Sequence, residues 1–219
     1  MSSAGEAGHE LLLRLAGRLP DDVLWRLRDW LAAGAVDPVA ALLPRALLRN
    51  RVALTDSERE LLVAAAGEGP QRRLIDAVLP LNGPDEPRYA FAAGPGLPDL
   101  AALGAMAVVR GDPGAAELRQ SRRGSRGEQR VLLVLDAARP LELTGTLQRL
   151  LRAHGERTPC VEVLAPGLEP PAYHQAAIVG SAVLWSRVPR TASPEEEAVV
   201  PATSDDPAGT STPTPSGAS

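Results

Sequence analysis

The chain contains no lysine: all 23 of its basic residues are arginine. It has one cysteine, Cys160, and three histidines, His9, His154 and His174. Each shortage removes a class of chemistry. A phosphate-gripping loop of the G-x-x-x-x-G-K-[ST] type requires its lysine, and Schiff-base catalysis requires a lysine amine. A structural zinc site requires about four Cys or His ligands at short spacing, and the few present are scattered. A lone cysteine makes no internal disulfide. There is no G-x-S-x-G nucleophile motif, no apolar run of membrane-spanning length, and no basic stretch leading into an apolar one at the N-terminus, as a secretory signal would have. No cofactor, no metal and no membrane are expected, and the expected location is the cytoplasm.

What is present suits a globular body. The 219 residues are 44% hydrophobic, with aromatics at only 3%, so Ala, Leu and Val must build the core. Arginine in place of lysine, beside abundant Ala, Gly and Pro, matches the codon drift of a GC-rich genome. The net charge of −4 is uneven. Residues 190–219 set Arg190 against Glu195, Glu196, Glu197, Asp205 and Asp206, so the remaining body is neutral. A neutral body argues against general nucleic-acid binding, which shows as a basic surplus.

Composition divides the chain into a helical bundle domain (9–80), a linker (81–87), a small α/β domain (88–188) and a disordered acidic Ser/Thr/Pro tail (189–219). In the first part, His9 to Leu19 is leucine-dense. Pro20 with Asp21 and Asp22 opens a helix that sets Val23, Leu24, Leu27, Trp30 and Leu31 on one face. Asp37-Pro38 opens another, which Pro44 is expected to break or kink. Thr55 to Glu58 is a capping box, and Pro70 opens a last short helix. The Gly and prolines of 81–87 cannot continue a helix. The tail has too little apolar surface to offset the entropy of ordering.

In the second part the expected strands are 89–93, 105–109, 131–136, 160–164 and 182–186. The best-defined unit is V-L-L-V-L-D, a helix from Glu142 to His154 with Leu143, Leu147, Leu150 and Leu151 on one face, then C-V-E-V-L. That order predicts a parallel pair with a helical crossover. The preferred class is therefore α/β, a small and mainly parallel sheet with helices on both faces, behind an all-α helical domain. The alternative for residues 88–188 is α+β with a mixed sheet.

Four constellations carry possible chemistry. Open α/β sheets bind ligands at the carboxyl ends of their strands, which selects Asp112 and Asp136 with Arg110 and Arg139 as a small-ligand site. The competing reading is that an aspartate ending a strand starts a turn. The run Arg119 to Arg130, with Arg119, Arg122, Arg123, Arg126 and Arg130, suits an anion or a nucleic-acid backbone. It lacks interleaved aromatics for base stacking, and a block of like charge reads first as a solvated loop. Tyr173-His174 is an exposed-looking aromatic and histidine pair without visible catalytic partners. Trp25 falls on the polar face of its helix beside Arg28 and Asp29, where a tryptophan is a good anchor for a protein partner, unless this chain covers it.

The sequence therefore points first to a cytoplasmic, non-catalytic interaction or regulatory protein. Its helical part would dock a protein partner, and its α/β part would serve as scaffold or small-ligand sensor. The alternative is an enzyme or ligand-binding domain acting at the strand ends, and a weaker one is nucleic-acid binding through the arginine run.

Overall fold

The helices of the first part start where the local chemistry places them. In the computed structural model, α1 (Ser3–Arg14) carries the leucine-dense segment, and α2 (Asp21–Ala32) begins behind Pro20 with both aspartates in its first turn. α3 (Val36–Arg49) runs through Pro44 without ending there. Proline removes one hydrogen bond from a helix, and here Val39, Leu43, Pro44 and Leu47 are buried along one face, so packing holds the turn. α4 (Asp56–Ala66) has the capping box: Glu58 N–H donates to Thr55 Oγ1 at 3.3 Å, and Thr55 N–H donates to the Glu58 carboxylate at 2.9 Å. α5 (Arg72–Asp76) is short.

The structure describes residues 3–67, 69–82, 89–94, 97–124 and 129–187. Residues 83–87 of the expected linker, Arg126, and the expected tail at 189–219 lie outside them.

The sheet follows as β1 (Phe91–Ala93), α6 (Leu100–Arg110), β2 (Glu117–Arg123), β3 (Gln129–Leu135), α7 (Pro140–Ala153), β4 (Cys160–Val163), α8 (Ala172–Val179) and β5 (Ser181–Ser186). Of the two arrangements the sequence left open, this is the α+β one with a mixed sheet. Among the described strands of this sheet only β3 and β4, joined through α7, run parallel. β2 pairs antiparallel with β3 on one side, and with β5 and β1 on the other. The preferred, mainly parallel sheet is corrected by two misread segments. Residues 105–109, expected as a strand, belong to α6, where Ala101, Ala105 and Val109 are buried at helical spacing. Residues 119–123, the first part of the run 119–130 expected as a charged loop, belong to the central strand β2.

Three clusters make the core. Leu11, Leu15, Leu27, Leu31, Leu43, Leu47 and Leu62 join the N-terminal helices, and Leu141 of α7 belongs to the same cluster. α6 and α7 cover one face of the sheet through Ala105, Leu118, Leu132, Leu147 and Val161. On the other face Ala177 of α8 meets Val131, Leu133 and Cys160. Each fully buried leucine contributes roughly 1.5–3 kcal/mol relative to exposure. Met1–Val188 makes one compact unit.

β4 is an edge strand, and the N-terminal helices close its free edge. Arg28 of α2 donates to Val161 O at 3.0 Å, and His9 of α1 bonds Val163 O at 2.9 Å. These are the alternate carbonyls that β3 does not use. An open edge offers unpaired backbone groups to any passing strand, and here two buried side chains satisfy them. α2 then runs along α7, where Gly145 is required by contact: a Cβ there would stand 2.5 Å from Ala32 Cβ. Gly17, in the left-handed region at φ +79°, leaves room for the Tyr173 ring, 2.6 Å from where a Cβ would sit.

Candidate functional site

α2 and α3 are packed neighbours, and their outer faces leave a groove of about 340 Å³. Its floor is Leu27 and the half-buried Trp30, with Leu42 exposed at the lip. Arg26, Arg45 and Arg49 stand around it, all exposed, with Asp22 the one carboxylate among the lining residues. Arg45 and Arg49 are one turn apart on α3, and Ala41 occupies the position where a pairing carboxylate would sit. Among the described residues none of these three arginines has a carboxylate partner. The groove thus joins an aromatic and aliphatic floor to unspent positive charge.

Some arginines elsewhere are paired inside the molecule. Arg28, 2% exposed, donates two hydrogen bonds to the Glu162 carboxylate at 2.8 and 2.7 Å and one to Leu12 O at 3.0 Å. Glu162 is equally buried and also meets His174 Nε2 at 2.9 Å. Burial works against the charge on Glu162, but the Arg28 guanidinium and the His174 ring outweigh it and hold the carboxyl at about 2. A second buried arginine, Arg123, reaches Asp21 and the Tyr173 hydroxyl, the latter at 2.8 Å, and its guanidinium lies 4.6 Å from the Tyr89 ring centre. Burial pushes the Cys160 thiol well above its ordinary range, so Cys160 is the small buried hydrophobe its strand position suggests.

The arginine run therefore divides. Arg119 pairs with Glu117 at 2.9 Å, and Arg123 is buried against Asp21. Arg130 is held between Asp99 and Glu156, the latter at 2.9 Å. The hydrogen bond from Arg130 holds Asp99 at about 2. Arg122 lines a shallow surface recess with Gln129 and Arg157, and Arg126 lies outside the described residues.

Among the described residues, the four residues chosen at the strand ends make no hydrogen bond or ion pair with one another. Arg110 is the exposed last residue of α6. Asp112 is buried and spent on its own turn, where one carboxylate oxygen accepts from Gly114, Ala115 and Ala138 N–H at 3.0–3.2 Å. Asp136 is exposed in the left-handed region at φ +60°. Arg139 precedes α7 and pairs with Glu142 at 3.0 Å. Tyr173 and His174, exposed-looking in sequence, are 6% and 0% exposed.

The polar face of α2 is turned toward its own chain. The Arg152 guanidinium lies 4.4 Å from the Trp25 ring centre, and Arg149 approaches Asp29 at 3.9 Å. Arg28 is inside the molecule and reaches no surface. The groove lies on the other side of α2, where Trp30 had been assigned to the apolar stripe. The signal that would have found it is the pair Arg45 and Arg49 at i, i+4 without a carboxylate neighbour.

Among the described residues no group of three or more His, Cys, Asp or Glu is placed to hold a metal, and no helix is long and apolar enough to cross a membrane. No protein family, no curated protein and no solved structure matches this chain.

Proposed function

We propose that this is a non-catalytic docking protein of the cytoplasm, and that the α2–α3 groove takes an acidic segment of a protein partner bearing an apolar side chain. The observation that carries the reading is the set of Arg26, Arg45 and Arg49, without a carboxylate partner among the described residues, around Trp30 and Leu42. Aromatic and arginine side chains anchor protein interfaces, and complementary charge steers encounter and fixes register. The sheet layer supports the helices by giving Arg28 and His9 their fixed partners, which suits a scaffold or sensor.

The test is capture from the host lysate with the full chain, compared with Arg26→Glu, Arg45→Glu and Arg49→Glu combined. The reading expects one or more proteins with an acidic segment to be retained by the wild type and lost from the variant, while the melting temperature is nearly unchanged. Exposed substitutions of this kind cost about 0.5 kcal/mol or less each. Retention that survives the triple reversal refutes the groove. Nucleic acid retained in its place, and lost with the same variant, moves the assignment to a phosphate backbone.

A further inference from the structure

The parallel pair β3–β4 opens at its carboxyl end onto a second cavity of about 300 Å³. This is the size at which small-molecule pockets begin, about 300 Å³, and the place where open sheets bind ligands. None of the residues selected at the strand ends from sequence lines it. Its walls are apolar, with Leu13, Ala137, Leu141 and Leu168 among them, and its polar groups come from α1: Glu6, His9 and Glu10.

His9 sets the chemistry. Its Nε2 faces Val163 O at 2.9 Å, and a carbonyl only accepts, so the ring proton is on Nε2. Nδ1 is then a bare acceptor lone pair. It is buried and has no hydrogen-bond partner among the described residues, in a side chain only 5% exposed. Burial holds the ring neutral, pulling its pKa down to about 4, so Nδ1 does not become a donor near neutral pH. Buried polar atoms are nearly always satisfied, and a donor entering the cavity would satisfy this one. Glu6 and Glu10 add negative charge at the rim, Glu10 partly offset by Arg14 at 2.8 Å. An acceptor, two carboxylates and an aliphatic wall select against anions.

We infer that this cavity binds a small organic amine, its N–H donated to His9 Nδ1, its positive charge set toward Glu6 and Glu10, and its aliphatic or aromatic body against Leu141 and Leu168. The site is independent of the α2–α3 groove.

The experiment is ligand-observed NMR on the full chain with phenethylamine and cyclohexylamine, against phenylacetate and cyclohexanol of matched shape. Two variants accompany it. His9→Gln keeps an amide donor for Val163 O but removes Nδ1, and Leu168→Trp fills the cavity without touching His9. The inference expects the amines to bind at millimolar or better and the acid not to bind. It expects at least tenfold weaker amine binding in each variant, and wild-type binding in the Arg26/Arg45/Arg49 triple variant. Should His9→Gln fail to fold, Leu168→Trp decides alone. Equal binding of acid and amine overturns the inference. So does amine binding unchanged by Leu168→Trp, or no binding by either amine.

Discussion

Arg28 carries a full charge at 2% exposure, and Glu162, His174 and two backbone carbonyls make that possible. Removing one partner of such a pair leaves the other charged and buried, so Arg28→Met should cost about 3–5 kcal/mol in urea unfolding. Arg28→Met with Glu162→Gln should recover most of that loss, because no uncompensated charge remains. A double variant as unstable as the single would show that the pair is not the cause. The same neighbourhood fixes a pH response. Both His9, at about 4 against an ordinary 6.5, and Glu162, at about 2 against 4.5, are depressed in the folded chain. The unfolded chain therefore takes up protons first as pH falls. The stabilisation is complete above about pH 6.5 and declines on acidification, through His9 down to about 4 and then through Glu162 toward 2. His9 alone accounts for a loss on the order of 3 kcal/mol between pH 7 and 4. Urea midpoints across that range should fall in the wild type and less steeply in His9→Gln, and parallel slopes would contradict the assignment. Little of this was legible in the sequence. Arg28 meets Glu162 across 134 positions, and Arg123 meets Asp21 across 102, so an arginine committed to a buried pair and one left at the surface look alike in the chain.

At the scale of elements, signals contained within a few residues were legible. The Thr55 capping box, the proline start of α2 and the β3–α7–β4 crossover stand as read. The failures were of period and burial. A-M-A-V-V is apolar on every residue, which a buried helix and a buried strand share. It became α6 because Asp99 caps it, accepting from Ala102 N–H at 2.9 Å. E-L-R-Q-S-R-R hid a central strand because Arg123 is neutralised by Asp21 of α2 and Arg119 by Glu117 of its own strand. The contact between α2 and α7 joins the helical layer to the sheet layer, and it yields two predictions. Gly145→Leu must displace Ala32 and should lower stability by about 1–3 kcal/mol, as overpacking does. Trp25→Ala loses a half-buried ring and its stacking with Arg152, and should cost about 2 kcal/mol, below the ~3–5 kcal/mol of a fully buried aromatic. A Trp25→Ala variant as stable as wild type would mean that α7 does not cover this face.

Over the whole molecule, several arginines are folded inward against Asp21, Asp99, Glu58 and Glu162, and three others, without a carboxylate partner among the described residues, stand around Trp30 on the α2–α3 groove. The body is neutral because its arginines are matched in number by its Asp and Glu residues, and the groove stands out because three exposed arginines gather around an apolar floor. The general class, a docking protein without a catalytic signature, was an expectation of the sequence, whereas the groove is visible only once α2 and α3 lie side by side. The most direct measurement is a charge swap between this chain and its captured partner, read as a dissociation constant by fluorescence anisotropy at two salt concentrations. Reversing Arg45 and Arg49 to glutamate should weaken binding at least tenfold, and reversing the facing carboxylates of the partner to arginine should restore it. Binding unchanged by the first reversal, or a loss that the second does not repair, would contradict the account.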